Sequence, residues 1–209
     1  MSANGSKYLK HIRTAGEDIA HIVSRLREFY RRRDDNESLQ ELNLNKLAEQ
    51  VIDMTRPRWR DIPQSRGITI ETQADLAPEV PDLLGIESEV REALTNLVLN
   101  AVDALPHGGK ITVRSRVDSL RGCQNQWQTS HASRLEVSDT GIGMNEETRK
   151  HCLEPFFSTK GKRGTGLGLA MVYGVMERHE GSVEIQSELG KGTTFALLFP
   201  SAKRPVPGC

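Results

Sequence analysis

The chain has 209 residues, with 28 Lys and Arg against 28 Asp and Glu, a net charge of zero and 36% hydrophobic residues. That fits a soluble globular protein of one domain with an appendage or two small domains, and the charge balance argues against a nucleic-acid binder held by bulk electrostatics. No apolar run approaches the roughly eighteen residues of a membrane span, and MSANGSKYLK lacks the apolar core of a signal peptide. Cys123, Cys152 and Cys209 stand without metal-ligand or redox spacing, which reads as reduced, cytosolic and metal-free at cysteine.

Residues 7–33 are expected to form one long helix. Tyr8, Ile12, Ala15, Ile19, Ile22, Leu26 and Phe29 recur at alternating spacings of four and three, the seam of a coiled coil or helical bundle. An amphipathic helix packed on its own domain is the alternative, with a wider apolar stripe. The arginine-rich end RLREFYRRRDD reads as a solvated face, and residues 34–41 as a polar linker. A helix follows at 45–58, limited by Pro57. Next come a strand at 67–72, a loop punctuated by Pro78 and Pro81, and a strong helix over 86–105 stopped by PHGG. Strands are expected at 110–117 and 133–139, with a loop insertion between them. A helix over 165–179 and two strands, SVEIQSE and TTFALLFP, joined by a hairpin at LGKG, complete the order. The end from Ser201 reads as a frayed tail. The fold class expected is α+β: a two-layer sandwich of a mixed sheet with helices on one face.

Chemistry concentrates in EALTNLVLNAVDAL. Glu92, Asn96, Asn100 and Asp103 are spaced four, four and three apart; at about 100° per residue they share an arc of roughly 80°. The rest of this helix is almost wholly Ala, Leu and Val. Asn is a poor helix-interior residue, and a buried amide needs partners. Amide and carboxylate oxygens suit a hard cation such as Mg²⁺, which shares phosphate ligands. A merely solvated stripe would be richer in Lys, Arg and Glu.

Two glycine clusters follow. In DTGIGM, Asp139 at a strand end could accept from an exocyclic amine, while Gly141 and Gly143 let a base approach the backbone. In GTGLGL, glycines open a helix whose free N–H groups make an anion site. No strand closely precedes Gly166, which disfavours a dinucleotide fingerprint, and no P-loop is present.

In order, N-x-x-x-N-A-x-D-A, DTGIG, PFFSTK, GTGLGL and GKGTTF resemble the N, G1, F, G2 and G3 boxes of sensor histidine kinases. The resemblance spans residues 40–200 and implies the Bergerat ATP-binding fold, shared with gyrase, MutL and a heat-shock chaperone. It implies ATP and Mg²⁺ as cofactors. Asn100 would hold the metal, with Asn96 beside it near the phosphates; Asp103, on the same stripe, joins the nucleotide-binding set. Asp139 would read the adenine amine, with Gly141 and Gly143 beside the ring. Residues 144–163 would form the ATP lid, where Phe156 and Phe157 either help closure or pack as core. Lys160 could approach the phosphates or be an ordinary loop lysine. Gly164, Thr165, Gly166, Leu167 and Gly168 would cradle the phosphates, and Thr193 would lie near the adenine.

In the gyrase and MutL branch a glutamate four residues before the metal asparagine activates water; here that position is Asn96, with no basic carboxylate. Asn96, Asn100 and Lys160 are therefore the candidate catalytic residues for phosphoryl transfer to a side chain. The resemblance identifies the heptad helix as the second helix of a dimerisation and histidine-phosphotransfer hairpin. None of the histidines matches the acceptor: His11 and His21 precede isoleucine, His107 lies in a turn, His131 in the insertion and His151 in the lid, and His179 follows the G2 box. The expectation is the catalytic part of a longer kinase, with residues 1–38, 39–201 and 202–209 as hairpin helix, ATP-binding domain and tail. The acceptor histidine would lie outside this chain, and Glu92 is not expected to be the base. Partners implied are a response regulator receiver domain and a second copy through the heptad helix, with no nucleic acid and no membrane contact from this segment. The location implied is cytoplasmic, the parent being anchored, if at all, through an upstream region. A Bergerat-fold ATPase, a serine kinase, and an inactive nucleotide-gated dimer scaffold stay open as alternatives.

Overall fold

The computed structural model describes residues 39–120, 130–161 and 164–201, with the isolated positions 13 and 16. The heptad helix, the tail and the centre of the insertion lie outside the described residues, as do Lys162 and Arg163.

The described chain opens with β1 (Gln40–Leu42), where a linker was expected. It pairs antiparallel with β3 (Leu83–Gly85). Between them lie α1 (Leu44–Arg56) and β2 (Ile70–Leu76). Asn43 caps α1 by accepting from Lys46 N at 2.9 Å, and its amide donates to Asp82 at 3.1 Å, tying the cap to the approach to β3. Leu44, Leu47, Ala48, Val51 and Thr55 form the buried stripe of α1, at helical spacing. Pro57 does not end the helical path as expected. Lacking an N–H, it opens a wider π turn over Pro57–Asp61, closed by Ile62 N on the Pro57 carbonyl, and a short helical turn, Ile62–Gln64, follows. The Trp59 indole donates to the Ile52 carbonyl at 3.0 Å and holds this turn against α1.

After β3, α2 (Glu87–Asp103) buries Val90, Ala93, Leu94, Leu97, Val98 and Ala101, spaced as one helical face. The sheet then continues with β4 (Gly109–Leu120) and β5 (Ser130–Asp139). These pair antiparallel from Ile111↔Asp139 out to Leu120↔Ser130, so both strands run three residues into the expected loop insertion. After the segment holding α3 (Glu146–His151) come α4 (Gly168–Arg178), β6 (Ser182–Glu188) and β7 (Gly192–Pro200).

The five-stranded sheet runs β2-β4-β5-β7-β6, with β2 parallel to β4 and every other pair antiparallel. Alternation decides its two faces. Ile111, Val113, Leu135, Val137, Phe195, Leu197 and Phe199 share one core with the buried residues of α1, α2 and α4. The opposite parity carries ion pairs instead, Arg114 and Arg116 on Asp75, and Arg134 on Asp118, Glu136 and Glu184. One face is thus dry and covered by helices, the other charged. This is the mixed two-layer α+β sandwich expected.

Candidate nucleotide site

The site forms where α2, the ends of β5 and β7, and the segment from Met144 to Gly168 meet around a cavity of about 540 Å³. Its rigid wall is the C-terminal half of α2. Because Val90, Ala93, Leu94, Leu97 and Val98 face the core, Asn96, Asn100 and Asp103 project to the other side and line the cavity. The Asn96 Nδ2 is buried without a hydrogen-bond partner among the described residues. Such an unpaired donor costs about 1–3 kcal/mol and is open to an acceptor from a ligand. The Asn100 Oδ1 and an Asp103 carboxylate oxygen both accept from Lys160 Nζ, at 2.9 and 2.7 Å. Lys160 thus comes from the lid onto the hard oxygens that the sequence pattern marks for a cation. Glu92, on the same sequence stripe, does not line the cavity.

Asp139 ends β5 opposite Thr193 of β7, and both are buried. Its Oδ1 accepts from Gly141 N at 2.8 Å. Burial pushes the carboxyl above its ordinary range, while hydrogen bonds from the backbone of Gly141 and Thr193 pull the other way. The Thr193 hydroxyl lies 2.8 Å from that of Ser187. The glycines of DTGIG also serve a packing need. A Cβ on Gly141 would lie 2.2 Å from the Ala104 carbonyl oxygen, and one on Gly143, at φ +62°, 2.0 Å from the Glu188 carbonyl oxygen. Both admit protein backbone, packing the turn between the end of α2 and the β6–β7 hairpin. Ile142 N donates to the Ala104 carbonyl at 3.0 Å and Gly190 N to the Ile142 carbonyl at 2.7 Å, which closes that packing. Gly143 lines the cavity, whereas Gly141 acts through Asp139.

The lid segment contains α3, which the sequence reading did not resolve. Its signal is present: Asn145 caps it by accepting from Thr148 N at 2.8 Å, acids fill its first turn and bases its last. Phe156 and Phe157 diverge. Phe157 lines the cavity with its ring 5.9 Å from that of His151, while Phe156 is exposed at φ +68° and gives its N–H to the Gly166 carbonyl at 2.9 Å. A Cβ on Gly166 would lie 2.3 Å from the Phe156 carbonyl carbon, so F and G2 boxes interlock backbone to backbone.

Gly164, Thr165, Gly166 and Gly168 line the cavity, and Asn96 Oδ1 is the nearest atom, 3.5 Å, to a Cβ built on Gly168. The free N–H groups at the start of α4 thus open beside α2's asparagines. Leu167 contributes no side chain: it is fully buried and does not line the cavity.

Sequence reasoning missed Arg58, Leu99, Ile142, Met144, Thr148 and Cys152 among the lining residues. Burial pushes the Cys152 thiol up, and it donates to the Arg149 carbonyl at 3.2 Å. His151 pairs with Glu154 at 2.8 Å, and His179 is buried. His11 and His21 lie outside the described residues.

An α/β sandwich with a polar helix stripe, a buried strand-end carboxylate and a lid over a glycine-opened helix defines a nucleotide-binding domain of the ATPase and kinase class. Residues 85–203 match the family described as histidine kinase-, DNA gyrase B-, and HSP90-like ATPase, and the chain belongs to that family. Among its relatives, the sensor kinase CckA of Brucella abortus is 34% identical over 92% of this chain and 20% of its own length. The phosphate regulon sensor protein PhoR of Pseudomonas aeruginosa is 38% identical over 66% of this chain and 30% of its own length. Full-length ShkA in complex with AMPPNP superposes with a TM-score of 0.71 at 26% identity, over 99% of this chain and 41% of that one. The catalytic domain of histidine kinase ThkA gives 0.61 at 26% identity, over 78% and 95%. The chain therefore spans about a fifth to a third of these curated relatives, which are sensor kinases. Within the family it is similar to the ATP-binding catalytic domain of sensor histidine kinases. No helix among the described residues is long and apolar enough to cross a membrane.

Proposed function

We propose that this chain is the ATP-binding catalytic part of a sensor histidine kinase, moving the γ-phosphoryl group of Mg·ATP to a histidine that in turn phosphorylates a response regulator aspartate. The observation that carries the reading is Asn96, Asn100 and Asp103 facing one cavity with Asp139, under a lid lysine bonded to Asn100 and Asp103. Residues 39–201 are the catalytic domain; the hairpin helix expected over residues 1–38 lies outside the described residues. The acceptor histidine lies outside the chain, and the protein works on the cytoplasmic side.

The residues present fit both ligands. Asp139, sheltered from water, accepts from the adenine amine. The Asn96 amide, unpaired and buried, donates to a phosphate oxygen. Asn100 would hold Mg²⁺ through its carbonyl oxygen, which accepts from the Lys160 ammonium. The ion would supply neutralisation of phosphate charge. Lys160 leaves Asp103 for the phosphates as the lid closes, while the N–H groups of Gly166 to Gly168 and Thr165 orient them. No carboxylate stands at position 96 to take a proton from water, which favours positioning for transfer over hydrolysis.

The test is γ-labelled ATP and Mg²⁺ with the chain alone and with a histidine-bearing hairpin supplied in trans. The expected result is ATP binding, no label on the chain, and acid-labile label on the hairpin. Abundant free phosphate without labelled histidine would refute transfer and support an ATPase.

A further inference from the structure

The charged residues lining the cavity are Asp103, Asp139, Lys160 and Arg58. Without Arg58, the described lining would set two carboxylates against a single lysine that is already paired, a poor surface for an anion. Arg58 corrects that balance, and it comes from an element outside residues 85–203.

Its position follows from the helix geometry. Arg91 of α2 donates to Gln50 of α1 at 2.9 Å. Asn43, at the start of α1, bonds Asp82 just ahead of α2, so the two helices run in the same direction. Eight residues further along each chain stand Arg58 and Leu99, and both line the cavity. Leu99 adjoins Asn100 and lies one turn before Asp103, so Arg58 stands at the level of Asn100 and Asp103, where Lys160 also reaches α2. The π turn, held by Trp59 on the Ile52 carbonyl, aims it there. Of Arg56, Arg58 and Arg60, which are all exposed, Arg58 alone lines the cavity. Among the described residues it has no hydrogen-bond or ion-pair partner, whereas Arg114, Arg116 and Arg134, on the far face of the sheet, all have one.

We propose that Arg58 is a nucleotide-binding residue whose guanidinium pairs with phosphate oxygens of the bound triphosphate, so that the α1–π-turn layer helps to select a phosphorylated ligand. This rests on the reading of the cavity as a nucleotide site. Guanidinium donors match phosphate oxygens in a fork, which an ammonium cannot reproduce.

Titration calorimetry on the whole chain, with Mg·ATP and with adenosine, tests it in the wild type and in Arg58→Gln, Arg58→Lys and Arg60→Gln. Arg58→Gln should weaken Mg·ATP about ten-fold or more, as expected for a lost charge-assisted bond, and leave adenosine unchanged. Arg58→Lys should fall between, and Arg60→Gln should match the wild type. Unchanged Mg·ATP affinity in Arg58→Gln, or an equal loss for adenosine, would overturn the assignment while leaving the nucleotide site intact. Failure of the wild type to bind Mg·ATP would overturn the nucleotide reading and Arg58's role with it.

Discussion

His179 is the sharpest place to test the packing that holds the site in register. Its side chain is 1% exposed. Its Nε2 accepts from Ile86 N at 3.0 Å, which leaves Nδ1 as the donor to the Val175 carbonyl at 2.8 Å. The ring meets Phe199 edge-on at 6.2 Å, and a Cβ on Gly85 would lie 2.8 Å from it. One imidazole therefore joins the end of α4 to the β3–α2 junction, and so fixes how α2's polar stripe faces the lid. His179→Phe keeps an aromatic ring but strands the buried Ile86 N–H, a cost of about 1–3 kcal/mol. His179→Ala also loses the edge contact and leaves a void, about 3–5 kcal/mol together. For a domain of this size that corresponds to a fall in Tm of roughly 6–20 °C. Thermal and urea unfolding should rank wild type above His179→Phe above His179→Ala, with Gly85→Ala costing less in the His179→Ala background than alone. A His179→Phe protein as stable as the wild type would refute the role of the Ile86 bond. The same burial predicts that labelled ATP never modifies His179.

Asp139→Asn should abolish ATP binding yet raise stability at pH 7. A carboxyl whose folded pKa is raised favours the folded state while protonated and loses that contribution as pH rises through the folded value, so the gain from Asn should shrink in acid; thermal melts from pH 3 to 8 check the sign. Gly143→Ala should cost more than about 2 kcal/mol and remove ATP binding, because its Cβ would meet the Glu188 carbonyl at a positive φ; unfolding and calorimetry read both. Lys160→Ala should change stability by less than about 1 kcal/mol, because its ion pair with Asp103 is two-fifths exposed on each side, yet weaken Mg·ATP several-fold by calorimetry.

What was legible in the sequence follows from how local the constraint is. The α2 stripe could be read because Asn96 and Asn100 are poor helix formers amid strong ones, and the glycine boxes because backbone contact tolerates no Cβ. There the backbone also sets a demand the sequence does not name: Gly141 makes room for the Ala104 carbonyl. Strands β1 and β3, three residues each, are too short to show a period, and exist because they pair with each other across forty residues of chain. The extension of β4 and β5 was hidden by polar residues on an arm with little core to face. Pro57 was read as a stop, since sequence rules do not say that Trp59 can hold a π turn beyond it. Arg58 was invisible for a related reason: in TRPRWRD three arginines look alike, and only the turn distinguishes the one that lines the cavity.

The two sides of the site differ in what holds them. On one side Asp139, Thr193 and the α2 asparagines stand on buried elements joined by backbone pairing and a shared core. On the other, the lid meets that wall through Lys160 on Asn100 and Asp103, and meets α4 through the Phe156–Gly166 backbone bond. The exposed ion pair is worth little in water, so Lys160 can leave Asn100 and Asp103 at small cost. Phe156 is different: it is a non-glycine residue at φ +68°, of order 1–3 kcal/mol above a relaxed backbone. Phe156→Gly should therefore stabilise the protein while loosening the lid. The wall is held by buried packing and the lysine contact is easily broken, while the Phe156–Gly166 bond keeps the lid tied to the segment that opens α4.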